Sequence, residues 1–223
     1  MISFGLFMPL NSRLRHVVLA SLILSGAHAA ASGIAVQVQD GGGKALADVV
    51  VYAEPDGGTP VPKPLKPGEI QQKGLKFIPL VTAVQTGSLI YFPNNDKVRH
   101  HIYSYSPAHK FDQKLYSGQS AAPQLFDKAG VVVLGCNIHD KMLAYVKVVD
   151  TPYFAKTDGN GVARIDIPAA GKYVLKAWHY NTVGGQTAEQ DVTVKAGEAL
   201  ATATFKLAMK PLAAESDAAA DNP

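Results

Sequence analysis

Hydrophobic and polar residues alternate in short runs along most of the chain, which is the pattern of half-buried β-strands. Residues 34–38 read Ile-Ala-Val-Gln-Val, and residues 49–53 form the apolar run Val-Val-Val-Tyr-Ala. The turn-forming Asp-Gly-Gly-Gly at 40–43 lies between the two runs, so we expect them to form a hairpin. No window carries a sustained helical stripe. The pattern therefore predicts an all-β fold.

Two further groups of strand-like segments follow a proline-rich connector. The connector spans residues 55–67 and contains five prolines, which cannot donate hydrogen bonds to a β ladder. Glycines and turn signals separate the remaining candidates, which are 89–92, 101–105, 131–134 and 143–149 in the middle of the chain and 164–168, 173–178, 191–194 and 203–207 near its end. We expect the middle group to form a small antiparallel barrel or sandwich.

The strands at the two ends of the chain are too few to make two independent sandwiches. We therefore predict that residues 30–62 and 152–210 form one split β-sandwich around a middle domain at 68–150; two separate outer pieces are the alternative. The order of strands and turns resembles that of carboxypeptidase-regulatory or transthyretin-like sandwich modules, and this resemblance implies that the middle domain is an insertion.

The first residues have the features of a secretory signal. Arg13 and Arg15 precede the apolar run 17–27, which ends in Ala27-His28-Ala29. A single membrane anchor is the alternative, but a bilayer requires about 20 apolar residues. We predict that residues 1–29 are a cleaved signal peptide, that the mature protein lies in the periplasm without membrane attachment, and that the tail at 211–223 is disordered.

Charge and cysteine content narrow the possible functions. The formal net charge of the 223-residue chain is only +3, and without a basic cluster it is poorly suited to nucleic acid. One cysteine excludes an internal disulfide, c-type haem attachment and any multi-cysteine metal cluster.

That cysteine begins a motif with metal-ligand spacing. Cys136 ends a glycine-led apolar run, and His139 and Met142 follow it at intervals of three. His100 lies upstream, after the turn-prone residues 93–96 and immediately before a predicted strand. Thiolate and thioether favour Cu(I), imidazole serves both copper oxidation states, and zinc rarely uses a thioether. The set predicts a single copper ion.

Residues 77–149 resemble the cupredoxins, blue-copper proteins of the plastocyanin and amicyanin type, in the Cys-x₂-His-x₂-Met loop and in the Asn-Asn-x-x-Val-x-His segment that ends at His100. The resemblance implies a Greek-key sandwich, equatorial ligands His100, Cys136 and His139, an axial Met142, and one-electron transfer to a redox partner protein. Four protein ligands leave no open position for a substrate, so we expect no enzymatic activity. The whole chain is similar to periplasmic proteins of the methylamine-utilisation-protein-like type. His101 stands where cupredoxins usually have Asn, which leaves open whether it replaces or supports His100.

Two other functions fit parts of the sequence. The same ligands would serve copper storage, delivery or sensing. Alternatively, the outer sandwich would be an adhesion or carbohydrate-binding module that uses Trp178, His179 and Tyr180 as an aromatic face.

Overall fold

A computed structural model describes Met1 and residues 33–57, 60, 63, 65–116, 122–197 and 200–211. The predicted signal peptide and the predicted disordered tail lie outside the described residues, except for Met1 and Pro211.

The described residues form β-strands, one short 3₁₀ turn at Val183–Gly185 and no α-helix. In chain order the strands are β1 (Gly33–Asp40), β2 (Val50–Pro55), β3 (Gly68–Glu69), β4 (Gln71–Gln72), β5 (Phe77–Ile78), β6 (Val81–Gln85), β7 (Ser88–Tyr91), β8 (His100–Ser106), β9 (His109–Tyr116), β10 (Gln124–Phe126), β11 (Gly130–Cys136), β12 (Leu143–Val149), β13 (Phe154–Lys156), β14 (Val162–Asp166), β15 (Gly171–Trp178), β16 (Ala188–Val194) and β17 (Ala201–Leu207). The all-β prediction is confirmed. No helix with the length and apolar character needed to cross a membrane occurs in the described ranges.

The outer sandwich combines strands from both ends of the described chain. One sheet has the order β14-β1-β17 and the other has the order β13-β2-β15-β16. The predicted hairpin of β1 and β2 is wrong, because the two strands lie in different sheets. The physical reason is that both strands have an apolar face: Ile34 and Val36 enter the shared core from one sheet, and Val51 and Ala53 enter it from the other.

The middle sandwich also has two sheets. The larger has the order β6-β12-β11-β8-β9, with β6 parallel to β12, and the smaller has the order β10-β7-β3. Ile90 and Phe126 of the smaller sheet pack in one core with Ile102, Val132 and Leu134 of the larger. The sequence pattern did not indicate β9, because its residues His-Lys-Phe-Asp-Gln-Lys-Leu-Tyr are largely polar and the strand lies at a sheet edge.

A small apolar cluster joins the two sandwiches. Val50, Tyr52 and Trp178 of the outer sandwich pack with Val81 and Val149 of the middle one. Trp178 is 3% exposed, and the next residue, His179, is 6% exposed. These two rings therefore do not present the solvent-facing aromatic surface that a carbohydrate-binding module requires.

Candidate metal centre

Two neighbouring strands of the larger middle sheet bring the predicted ligands to one end of the sandwich. His100 begins β8, and Cys136 ends the antiparallel strand β11, opposite Ile102. Because residues two apart on a strand share a face, His100 lies on the same side as Ile102, and Cys136 lies on the same side as Leu134. Ile102, Leu134 and Cys136 all belong to the middle core.

The loop after Cys136 returns His139 to the same point. The Met142 N–H donates to the His139 carbonyl at 2.9 Å, which closes a tight turn, and the Asn137 N–H donates to the His101 carbonyl at 3.1 Å. The second bond ties the two ligand-bearing segments through the main chain. A Cβ at Gly135 would lie 2.8 Å from the Tyr103 ring, so a larger residue at this position would require that ring to shift.

Three donor atoms converge in this arrangement. The Cys136 Sγ lies 3.8 Å from the His100 Nδ1 and 3.7 Å from the His139 Nδ1, and the two Nδ1 atoms are 3.2 Å apart. These residues are the one group of this kind found in the described part of the chain.

The spacing fits one metal ion. Metal–nitrogen bonds of about 2.0–2.1 Å and a metal–sulfur bond of about 2.3 Å that meet at about 120° place sulfur and nitrogen roughly 3.8 Å apart and the two nitrogens roughly 3.5 Å apart. The observed sulfur–nitrogen distances match this requirement, and the shorter distance between nitrogens corresponds to a narrower angle. Residues His100, Cys136 and His139 could therefore hold one ion without rearrangement.

The three residues differ in exposure. His100 is fully buried and Cys136 is 3% exposed, whereas His139 is only partly buried. His139 lies among the exposed residues Ile138, Asp140 and Lys141. One imidazole of the set therefore faces the outside, within a surface that is both apolar and charged.

Met142, the fourth predicted ligand, is also at this end of the core. It is 2% exposed and packs in the same cluster as Cys136, and its N–H fixes the His139 turn. Its role as axial ligand stays a prediction.

His101 lies on the other side of the strand. Its ring contacts the carboxylate of Asp112 on the neighbouring strand β9, and the β8–β9 register shifts between His100 and Ile102. The structure thus brings His100, rather than His101, to Cys136 and His139. The backbone carbonyl of His101, not its side chain, joins the two ligand segments.

Sequence reasoning missed Asp96, which contacts the far side of the His100 ring. The Asp96 Oδ2 lies 2.9 Å from the His100 Nε2. Burial would raise the pKa of the Asp96 carboxyl, but hydrogen bonds from the Gly74 N–H, from His100 and from the Leu75 N–H outweigh it, so this pKa is lowered. The signal that could have found it is a carboxylate four residues before the histidine, across an Asn-rich turn.

A buried polar network supports the same loop. The Gln72 amide donates to the Phe92 carbonyl at 3.1 Å and also to the Tyr116 hydroxyl, which donates to the Phe92 carbonyl. Burial raises the pKa of Tyr116 to about 12 despite the bond from Gln72. Tyr116 therefore stays protonated as a donor.

Comparison with known proteins finds solved structures that are similar to part of this chain. No protein-family model and no curated protein matches the chain. Among solved structures, a Cu(I) form of an amicyanin mutant is similar over 37% of this chain and 82% of its own, with 15% identity and a TM-score of 0.35. A purple cupredoxin from Nitrosopumilus maritimus is similar over 37% of this chain and 99% of its own, with 20% identity and a TM-score of 0.33. A copper-containing nitrite reductase from Thermus scotoductus SA-01 is similar over 43% of this chain and 25% of its own, with 24% identity and a TM-score of 0.36.

Proposed function

We propose that this protein binds one copper ion through His100, Cys136, His139 and Met142 and carries single electrons in the periplasm. The observation that supports the proposal most directly is the convergence of one sulfur and two nitrogen donors, all within 4.8 Å of one another. Their distances match those that a single ion requires.

The donor set favours copper over zinc. A thiolate and two imidazoles in a three-fold arrangement, with a thioether in the same core, suit copper in both of its oxidation states. Structural zinc sites instead have four thiolate, imidazole or carboxylate ligands. Met142 offers the only thioether that the sequence places in this loop, and it belongs to the same buried cluster as Cys136.

The chain contributes rigidity, exclusion of water and one outward contact. Copper, when bound, supplies a one-electron couple between Cu(I) and Cu(II). His100 and Cys136 are held by paired strands, so the donors keep their positions in both oxidation states. Their burial excludes water from the donors, and the partly exposed His139 offers a path for an electron to a redox partner protein.

The strand pairings support the division proposed from the sequence. Strand β1 pairs with β14 and β17, and β2 pairs with β13 and β15. We propose that the outer sandwich, at 30–62 and 152–210, is one domain that carries the middle domain at 68–150 as an insertion.

Retention of copper through redox cycles distinguishes an electron carrier from a storage or delivery protein. We would load anaerobically purified protein with one equivalent of Cu(II), then reduce and reoxidise it repeatedly with excess Cu(I) chelator present. A carrier keeps its copper and regains its visible absorption in each cycle. Transfer of the copper to the chelator at the first reduction would instead support delivery or storage. The Cys136→Ser variant is the control, because it should lose copper to the chelator.

A further inference from the structure

We propose that Asp96 is a positioning residue of the metal centre, and that the β4–β5 hairpin, at residues 71–78, holds it in place. This inference rests on the proposed function. It gives a role in supporting the copper site to a hairpin that lies outside all of the predicted strands.

The first step is the contact between Asp96 and His100. An ionised carboxylate only accepts hydrogen bonds, so the 2.9 Å contact between the Asp96 Oδ2 and the His100 Nε2 requires a proton on Nε2. In the neutral ring the Nδ1 then carries a lone pair. That lone pair points toward the Cys136 Sγ and the His139 Nδ1. Asp96 thus fixes the form of His100 in which Nδ1 can bind a metal.

The second step concerns the metal-free protein. The His100 Nδ1 and the His139 Nδ1 are 3.2 Å apart, and one of the two must donate if they form a hydrogen bond. Because Asp96 holds the His100 proton on Nε2, the donor must be the Nδ1 of His139. Asp96 therefore sets the tautomers of both rings, although it contacts only one of them.

The third step is what holds Asp96. Its Oδ1 accepts from the Gly74 N–H at 2.6 Å, and its Oδ2 accepts from the Leu75 N–H at 3.1 Å. Both donors lie in the turn between β4 and β5, where Gly74 has φ +64° and Leu75 has φ +55°. A turn in this left-handed conformation presents consecutive N–H groups to one anion. Only 13% of the Asp96 side chain is exposed.

The fourth step is the loop that carries Asp96. The Asn94 Oδ1 accepts from the Asp96 N–H at 2.9 Å, and the Asn94 side-chain amide donates to the Val98 and Tyr116 carbonyls, both at 2.9 Å. Asn94 is 3% exposed. The backbone of Asp96 is thus fixed from one side, and its carboxylate is fixed from the other.

The chain offers a matched control one residue along the same strand. His101 also pairs with a carboxylate, that of Asp112, but this pair lies on the opposite face, and the Asp112 side chain is 59% exposed. Asp96→Asn and Asp112→Asn therefore remove the same charge from neighbouring histidines. Only the first change reaches the proposed site.

The test begins without metal. In Asp96→Asn we expect the ¹⁵N resonances of His100 and His139 to report a redistribution of both tautomers. We also expect the amide protons of Gly74 and Leu75 to exchange at least ten times faster than in the wild type. Asp112→Asn should change neither measurement. Because these results need no copper, they decide the role of Asp96 even if the wild type takes up no copper and the proposed function fails.

With copper added, Asp96→Asn should lose Cu(II) to a competing chelator as if its affinity for copper were about 10–100 times lower than that of the wild type, which is the loss of affinity found for residues that orient metal ligands. Its reduction potential should rise, because a negative charge near the site favours Cu(II). Asp96→Glu keeps the charge and should restore part of both properties, and it serves as the second variant if Asp96→Asn does not fold. Unchanged tautomers, exchange rates and copper release in Asp96→Asn, equal to those of Asp112→Asn, would overturn the inference.

Discussion

The outer and middle sandwiches bury polar groups in different ways. In the outer sandwich, buried hydroxyls form hydrogen bonds with backbone groups. The Thr157 Oγ1 accepts from the Val49 N–H at 2.9 Å and donates to the Leu46 carbonyl at 2.7 Å. In the middle sandwich, buried polar groups around one loop also contact other side chains, as His100 does with Asp96 and Gln72 does with Tyr116.

This difference indicates where function lies. A buried polar group costs free energy unless it is hydrogen-bonded. A threonine hydroxyl that hydrogen-bonds to backbone groups offsets that cost, because these bonds stabilise the fold. His100 is fully buried, and its ring is directed toward two other donor atoms. If stability alone mattered, an apolar residue would fill this position at a lower cost in free energy. We infer that the middle sandwich accepts these polar groups because they form a site.

The largest effect on the free energy of unfolding is expected from a cavity made in the core of either sandwich. Leu134 and Leu175 are both fully buried, so replacing either with Ala should lower the free energy of unfolding by about 2–5 kcal/mol. Leu134→Ala lies two residues before Cys136 and should also alter the visible spectrum of the copper-loaded protein. Leu175→Ala lies in the outer core and should leave that spectrum unchanged. Urea unfolding and absorption spectroscopy measure the two effects; a changed spectrum in Leu175→Ala would show that the sandwiches do not act separately.

A smaller loss is expected from Thr157→Val, which keeps the shape of the side chain and removes its hydroxyl. The Val49 N–H and the Leu46 carbonyl each lose this partner, so the free energy of unfolding should fall by about 1–3 kcal/mol. Thr202→Val, at an exposed position of β17, is the control and should change it by less than about 0.5 kcal/mol. Equal effects of the two substitutions in urea unfolding would mean that the buried hydroxyl does not stabilise the outer sandwich.

The smallest effect concerns the one buried histidine of the described outer sandwich. Burial lowers the pKa of His179, and the charge of Asp48 only partly opposes this; the His179 Nδ1 also accepts from the Asn181 N–H at 3.1 Å. Because the folded pKa lies below the unfolded value of about 6.5, the unfolded chain takes up the proton first. The free energy of unfolding should therefore fall as the pH drops through about 6.5.

His179→Asn is the matched variant for this effect, since its side-chain oxygen can replace the Nδ1 acceptor without titrating. Urea unfolding at pH 7.5 and pH 5.5 should show a smaller loss of stability in His179→Asn than in the wild type. The same loss in both proteins would assign the pH dependence to other groups.

Local patterns predicted much of this molecule, and contacts between distant segments account for what they missed. Apolar runs and alternation identified β8, β11 and β12, and the Cys-x₂-His-x₂-Met spacing selected Cys136, His139 and Met142, because strands and short loops are set by neighbouring residues. His100 was selected by its place after a turn-prone segment and by the family resemblance. The pairing of β1 was predicted wrongly. Strands β1 and β2 each have an apolar face, and the sequence does not show whether two such strands pair in one sheet or pack against each other from two sheets. Asp96 was missed because its role depends on the turn at 73–76, which the chain places beside it only after folding.

Addition of Cu(II) to the metal-free protein, followed by visible spectroscopy, tests the central claim most directly. For the wild type we predict an intense charge-transfer band that saturates at one equivalent of copper, because the Cys136 thiolate would bind the ion. Cys136→Ala should lack the band while keeping its fold by circular dichroism. A wild type without the band, or a Cys136→Ala variant that shows it equally, would contradict the assignment of His100, Cys136 and His139 to a copper centre.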